Sequence, residues 1–192
     1  MKLIDLSIGY PQGKSSRVVM KGINAELHKG RLTCLIGANG AGKSTLLRTI
    51  SAFQPKLGGD IIIRGRKLES FSREELARLI GVVLTERPSV QYLTARQMVA
   101  MGRSPYTGFF GRLSDEDNAV VTESLRMVGI EHLAERMVHS LSDGERQKMM
   151  TAKALAQQTD VIFLDEPTAF LDYGSKVDTL QMLHQLCNVE GK

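Results

Sequence analysis

The sequence lacks both the cysteine pairs of a disulfide-linked protein and the long apolar runs of a membrane protein. Its two cysteines, Cys34 and Cys187, are far apart and have no metal-ligand spacing, so we expect reduced thiols that are packed inside or incidental. No apolar run approaches the roughly 18 residues of a membrane span, and the N-terminus lacks the basic, apolar and small-residue order of a signal peptide. These absences predict a cytosolic chain.

Charge of one sign is not concentrated anywhere in the sequence. The 25 basic and 21 acidic residues give a formal net charge of +4, and no run of about five like charges occurs. This distribution gives little support to nucleic-acid binding. The length of 192 residues and the 42% apolar content are typical of one globular domain with its own core.

Apolar runs and helical patterns alternate along the chain. Alternation around 3–8 and 23–27 predicts an opening antiparallel layer. Further strands are predicted for four short runs: Leu32–Ile36, Ile61–Ile63, Gly81–Leu84 and Val161–Leu164. Helices are predicted for three segments: Ser44–Phe53, 72–79 with Ser72 and Glu75 as a capping pair, and Lys176–Val189 with Val177, Leu180, Leu183 and Cys187 on its apolar face.

The segment from about residue 93 to 158 has helical signals only. Three capping pairs mark helix starts there: Thr94 with Gln97, Ser114 with Asp117, and Ser142 with Glu145. The order of elements predicts an α/β fold of residues 1–192 as one domain. We expect a mainly parallel sheet, an N-terminal antiparallel β layer and an inserted helical subdomain at about 93–158.

A phosphate-binding loop is the clearest motif. The residues Gly37-Ala38-Asn39-Gly40-Ala41-Gly42-Lys43-Ser44-Thr45 contain the pattern Gly-x-x-x-x-Gly-Lys-Ser/Thr between a predicted strand and a predicted helix. The small residues let backbone N–H groups turn toward an anion, and Lys43 can neutralise phosphate oxygens. Ser44 supplies a hydroxyl for Mg²⁺. The alternative is a glycine-rich turn that only caps a helix.

An acidic pair follows the last predicted strand. Asp165 and Glu166 come directly after Val161–Leu164, at the edge where open α/β sheets bind ligands. Asp165 would hold Mg²⁺, and Glu166 would orient the water that attacks the terminal phosphate of ATP. Such a pair is also common at the start of an ordinary loop, so it gains weight only together with the phosphate-binding loop.

With these motifs placed, nearly the whole chain resembles the nucleotide-binding subunits of ABC transporters. The segment Leu141-Ser142-Asp143-Gly144-Glu145 is similar to the family signature Leu-Ser-Gly-Gly-Gln. The resemblance implies that this segment faces ATP bound to a second subunit. It also implies that Asp172 lies in the D-loop, which links hydrolysis to the partner site, and that Tyr10 stacks on adenine. The alternatives are a plain capping box at Ser142 and a packing or surface role for Tyr10.

Three departures from the family pattern bear on activity. Glu86 stands where most members have glutamine, and it would act as a further contact to Mg²⁺ and water. Asp143 replaces the first signature glycine and adds negative charge near the expected phosphate. The family's switch histidine and its strand are not found before Lys192, which indicates a truncated fragment or a hydrolysis-deficient nucleotide-binding module as alternatives to an active ATPase.

The segment 98–105, followed by Gly111-Arg112-Leu113-Ser114, resembles importers of iron chelates (siderophores), haem and cobalamin. The resemblance implies ATP and Mg²⁺ as cofactors, a head-to-tail pair of identical subunits, and a transmembrane permease with a substrate-binding protein. The subunit would then lie at the cytoplasmic face of the cell membrane. A DNA-repair ABC ATPase would need long coiled coils, and a soluble kinase would have no use for residues 141–145.

Overall fold

The computed structural model describes residues 1–12, 15–85, 90, 92–108 and 110–188. These ranges contain six β-strands and six α-helices, linked by turns and short 3₁₀ segments. The chain divides into two compact units, Met1–Arg73 and Glu74–Lys192. Each unit is described by itself below. The assignment of one domain with a subdomain at about 93–158 stays a prediction.

The first unit is a four-stranded antiparallel sheet with one helix. The sheet has the order β2-β1-β3-β4, with bounds β1 Lys2–Gln12, β2 Ser15–Glu26, β3 Gly58–Ile63 and β4 Arg66–Lys67. The helix α1 spans Lys43–Ile50 and buries Thr45, Leu46, Thr49 and Ile50, the spacing of one helical face. Leu6, Ile8 and Ile61 are fully buried. The predicted opening antiparallel layer is confirmed.

The predicted strand at Leu32–Ile36 is wrong for this structure. The segment has no regular secondary structure, and the exposed fractions of Leu32, Leu35 and Ile36 are 42%, 50% and 91%. The central strand β1 already has β2 and β3 on its two sides. Apolar composition shows that a segment suits burial, but a strand also requires a hydrogen-bonded neighbour. Within the described part of the first unit, no strand pairs with this run.

The second unit contains a pair of parallel strands and five helices. The strands β5 (Ile80–Val83) and β6 (Val161–Leu164) pair in register from Ile80 with Val161 to Val83 with Leu164. The helices are α2 Arg73–Leu79, whose first residue lies at the unit boundary, α3 Ala95–Ala100, α4 Asp115–Met127, α5 Asp143–Ala156 and α6 Tyr173–Asn188. The predicted α/β class is confirmed. In the described residues the parallel sheet has two strands. The run 32–36, which was predicted as a further strand, does not form a strand.

The helices α3, α4 and α5 begin as the sequence predicts. Thr94, Ser114 and Ser142 each form a reciprocal capping box with the residue three positions on. In each box the hydroxyl accepts the third N–H of the helix, while the N3 side chain accepts the N–H of the cap. The three helices share one core, which includes the fully buried Leu125 and Met149.

The apolar face of α6 is rotated from the predicted one. The helix buries Thr179, Met182, Leu183 and Leu186, whereas Leu180 is half exposed. Because successive residues turn by about 100° around a helix, Leu180 points away from the direction of Thr179. Leu183 is buried as expected. Both thiols are free, as predicted. Cys34 is exposed, which excludes the packed alternative for that residue, whereas Cys187 is half-buried and burial raises the pKa of its thiol.

A buried ion pair ties three helix ends of the second unit together. The Arg103 guanidinium donates from Nε to Asp117 Oδ1 at 2.8 Å, and from a terminal nitrogen to the Ala156 carbonyl at 2.8 Å. Asp117 Oδ2 accepts the backbone N–H and the hydroxyl of Ser114 at 3.0 and 2.8 Å. The Ser114 backbone hydrogen bond, followed by the Arg103 contact, lowers the pKa of Asp117 to about 2. One carboxylate thus caps α4 and holds the arginine that follows α3 against α5.

Replacing Asp117 by asparagine should destabilise the fold by roughly 3 kcal/mol at pH 7, because Arg103 would keep its charge without a counter-ion. The folded-state pKa of Asp117 lies below its ordinary value of 3.8, so its contribution is present at neutral pH and is lost as the pH falls from about 4 towards 2. Urea unfolding between pH 7 and pH 3 measures both effects. Asp115→Asn, an exposed position in the same helical turn, is the matched control. Equal midpoints for the two variants would contradict this role.

Candidate nucleotide-binding site

The phosphate-binding loop closes directly onto the start of α1. Gly40 and Gly42 have φ angles of +80° and +96°, in the left-handed region that favours glycine. The Ala41 N–H donates to the Ala38 carbonyl at 3.2 Å, which tightens the loop. No side chain caps α1, because its N-cap residue is Gly42. The first N–H groups of the helix have no carbonyl partner inside it, and its dipole places partial positive charge there.

Lys43 adds a full positive charge to the same place. Its ammonium donates to the carbonyls of Gly37 at 2.8 Å and Ala38 at 3.0 Å, so the side chain folds back across the loop. Helix N–H groups, glycine backbone and an ammonium group are the features that the phosphate-binding prediction requires. A glycine turn leading into a helix is present at residues 37–45, and phosphate binding there stays a prediction.

Tyr10 lies beside this loop. Its hydroxyl is 3.0 Å from the Thr45 hydroxyl, where either group can be the donor, and 42% of the Tyr10 surface is exposed. The contact fixes the end of the ring against the first turn of α1, next to the loop. This placement agrees with an aromatic wall of a nucleotide site, although stacking on adenine stays a prediction.

The acidic pair lies at the carboxyl end of β6 in the second unit. The Asp165 N–H donates to the Val83 carbonyl at 2.9 Å, and the Thr85 hydroxyl donates to the Asp165 carbonyl at 2.8 Å. Glu166 is exposed and has a φ of +49°, a backbone conformation that is unfavourable for a residue other than glycine. At Glu166 the backbone turns away from the strand β6, and the Glu166 side chain is exposed to solvent.

The signature segment forms the N-terminus of α5. The Glu145 carboxylate accepts the Ser142 N–H at 2.7 Å, and the Ser142 hydroxyl accepts the Glu145 N–H at 3.3 Å. The hydrogen bond from the Ser142 backbone lowers the pKa of Glu145. Asp143 lies 3.4 Å from Arg146, one turn further along. A capping box is therefore present at Ser142 and Glu145, as the alternative states. The role of the segment as the family signature stays a prediction.

Asp172 begins the next helix in the same way. Its carboxylate accepts the Ser175 N–H at 3.0 Å and the Ser175 hydroxyl at 2.7 Å, and the first of these bonds lowers the pKa of Asp172. A Cβ on Gly144 would lie 3.1 Å from the Ser175 hydroxyl oxygen. The predicted signature and D-loop therefore meet at Ser175. Sequence reasoning missed this residue, although the Asp-x-x-Ser spacing is itself a helix-capping signal.

The structure brings the predicted residues together in groups. Residues 37–45 and Tyr10 adjoin in the first unit. In the second unit, Asp165 and Glu166 follow β6, and residues 142–145 lie near the start of α6 at Asp172. Glu86, the third predicted Mg²⁺ contact, lies outside the described residues. The assignment of catalytic, nucleotide-binding and metal-binding roles stays a prediction.

Comparisons with known proteins identify the class. The ABC transporter family profile matches residues 20–169. An ABC transporter ATP-binding protein of Methanocaldococcus jannaschii is 44% identical over 98% of this chain and 63% of its own length. The ferric enterobactin transport ATP-binding protein FepC of Escherichia coli is 37% identical over 97% of this chain and 67% of its own. The cobalamin import ATP-binding protein BtuD of Halobacterium salinarum is 37% identical over 91% of this chain and 43% of its own.

A solved structure agrees with these relatives. The dimeric, post-hydrolysis ATP-binding cassette bound to ADP and Pi matches 100% of this chain and 84% of its own, with a TM-score of 0.80 and 28% identity.

The chain belongs to the ABC transporter family and is an ABC ATPase domain, homologous to the ATP-binding subunits of siderophore and cobalamin importers. It spans about two thirds or less of the length of the three curated relatives. In the described residues, no helix is long and apolar enough to cross a membrane.

Gly42→Ala should destabilise the first unit and weaken nucleotide binding. The alanine would have to adopt a φ of +96°, which is unfavourable for a residue with a Cβ. Its Cβ would also lie 2.6 Å from Cγ1 of Val19, a β-branched side chain with little rotational freedom. We expect the melting temperature to fall by about 5 °C. Gly37→Ala is the control, since its nearest contact is 3.6 Å away and its φ is not positive. Thermal unfolding compares the two, and equal melting temperatures would show that the loop is not held as described.

Proposed function

We propose that the chain binds and hydrolyses ATP as the motor subunit of an importer. The observation that carries this proposal is the loop at the start of α1, where left-handed glycines, an uncapped helix N-terminus and the Lys43 ammonium converge. These groups are complementary to a phosphate chain and not to a neutral ligand.

Residues 37–45 would hold the phosphates through backbone N–H groups, and Lys43 would neutralise the terminal oxygens. On binding, the ammonium would exchange its bonds to the Gly37 and Ala38 carbonyls for bonds to phosphate. The Tyr10 ring would stack on the adenine base of ATP. All of these contacts would come from the first unit.

Ser44, Asp165 and Glu86 would hold Mg²⁺, which would supply positive charge to offset that of the phosphates. One hydroxyl and two carboxylates suit this ion, because Mg²⁺ takes oxygen ligands and typically one or two carboxylates, with phosphate and water completing its shell. Glu166, exposed at the end of β6, would orient the attacking water and accept its proton.

The working assembly would be a head-to-tail pair of identical subunits with two ATP molecules between them. Residues 142–145 of one copy would face the nucleotide of the other, and Asp172 would link the two sites. The dimeric cassette with ADP and Pi supports a pair of such subunits. A permease and a substrate-binding protein would complete the transporter, with this subunit at the cytoplasmic face of the membrane. The relatives support a siderophore or cobalamin as cargo, and haem is the third candidate.

Hydrolysis is tested with the protein, Glu166→Gln and Lys43→Ala in parallel. With saturating Mg·ATP we expect the unaltered chain to exceed Glu166→Gln at least about a hundredfold, because that variant keeps the nucleotide site but loses the base. Lys43→Ala should lose ATP affinity as well, which a fluorescent ATP analogue measures. Equal turnover by the unaltered chain and Glu166→Gln, with ATP binding intact, would identify a nucleotide-binding module without ATPase activity.

Dimerisation is tested by gel filtration of Glu166→Gln. With ATP and Mg²⁺ we expect the dimer to accumulate, because slow hydrolysis leaves the sandwiched nucleotides in place. ADP should leave the variant monomeric, since the terminal phosphate that the second copy contacts is missing. A monomer in both nucleotides would contradict the head-to-tail assembly.

A further inference from the structure

The signature segment poses an electrostatic problem for the proposed function. Its helix begins with Asp143 and Glu145 in the first turn, the place where a phosphate of the second copy is expected. Uncompensated carboxylates there would repel the phosphate and cancel the positive end of the helix. Each carboxylate, however, has an arginine beside it.

Asp143 is paired within its own helix. Its Oδ1 lies 3.4 Å from an Arg146 nitrogen, and Arg146 also donates to the Leu141 carbonyl at 3.1 Å. The side chain of Arg146 is largely buried, with 18% exposed. Arg146 therefore has a structural role in the turn before α5, and its removal would disturb the fold as well as the charge.

Glu145 is paired differently. One of its oxygens accepts the Ser142 N–H, while the other lies 3.7 Å from an Arg136 nitrogen. Arg136 comes from outside α5 and donates to the Ser140 carbonyl at 2.9 Å. About half of its side chain is exposed. The arginine thus spans from the turn before the signature to the signature's own carboxylate.

We propose that Arg136 is a positioning residue of the signature, which neutralises Glu145 and fixes the turn 138–140 so that α5 presents a positive end to phosphate on a second copy. This role rests on the proposed function. It differs from a stabilising role, because exposed ion pairs contribute little to stability whereas an unpaired carboxylate at a phosphate interface acts directly on binding.

The test measures ATP-dependent dimerisation in the Glu166→Gln background by analytical ultracentrifugation. Arg136→Gln should weaken the dimer about tenfold at low salt and less at high salt, where the repulsion is screened. Glu145→Gln keeps a side chain that can complete the capping box and removes the negative charge, so it should tighten the dimer at low salt. His132 also lies near Glu145, so all variants keep this histidine and are compared at one pH.

The double variant Arg136→Gln/Glu145→Gln decides how the arginine acts. If Arg136 acts by neutralising Glu145, the double variant should dimerise as well as the parent does. A double variant as weak as Arg136→Gln alone would overturn the proposal, since the arginine would then act without the carboxylate. Arg126→Gln, which breaks the exposed Glu123–Arg126 pair on α4, is the matched control. An Arg136→Gln dimer as tight as this control would also overturn it.

Two further readouts separate the possible causes. Thermal unfolding of Arg136→Gln should stay within about 2 °C of the parent, as expected for an exposed pair, and a larger fall would assign the defect to folding and overturn the proposal. Binding of a fluorescent ATP analogue to the monomer should be unchanged, because residues 37–45 are unaltered. If the Glu166→Gln parent itself forms no dimer, the proposed assembly fails and the role of Arg136 fails with it.

Discussion

The backbone N–H groups of the first turn of a helix need acceptors from outside the helix. This chain meets that need in two ways. The helices α3, α4 and α5 begin with reciprocal capping boxes, in which the protein supplies both acceptors. The helix α1 begins at Gly42, whose lack of a side chain leaves the need to be met by something else. Under the proposed function, a phosphate of ATP is the acceptor at this position, and Lys43 adds positive charge beside it.

In the second unit, side chains also supply the acceptors for first-turn N–H groups, and they connect neighbouring elements. Asp117 completes the capping box of α4 with Ser114 and holds Arg103, which donates to the carbonyl of Ala156 at the end of α5. Ser142 and Glu145 cap α5, and Asp172 accepts the N–H of Ser175 at the start of α6. A capping residue therefore makes two contributions. It accepts a first-turn N–H of its own helix, and it fixes where the neighbouring element packs. The two predicted functional segments illustrate this, since a Cβ added to Gly144 would lie 3.1 Å from the Ser175 hydroxyl oxygen.

Local signals in the sequence predicted local structure well. The capping pairs and the glycine loop depend on residues a few positions apart, so their patterns are visible in the chain itself. The apolar runs of β5 and β6 were also predicted as strands, and these two runs pair with each other. Strand formation at 32–36 depends on a neighbour that no local pattern specifies. The pairs Arg103–Asp117 and Arg136–Glu145 join residues 14 and 9 positions apart through turns whose geometry the sequence does not give.

The two helix starts of the proposed sandwich differ in charge, and this difference bears on their order of action. The first turn of α1 has no acidic residue, whereas that of α5 has Asp143 and Glu145. At the positive end of α1, no carboxylate of its own first turn opposes a phosphate, and Lys43 adds positive charge there. The positive end of α5 is available only to the extent that Arg146 and Arg136 offset the two carboxylates. Under the proposed function, α1 is therefore the primary site, and α5 of a second copy can contact only a nucleotide that α1 has already bound.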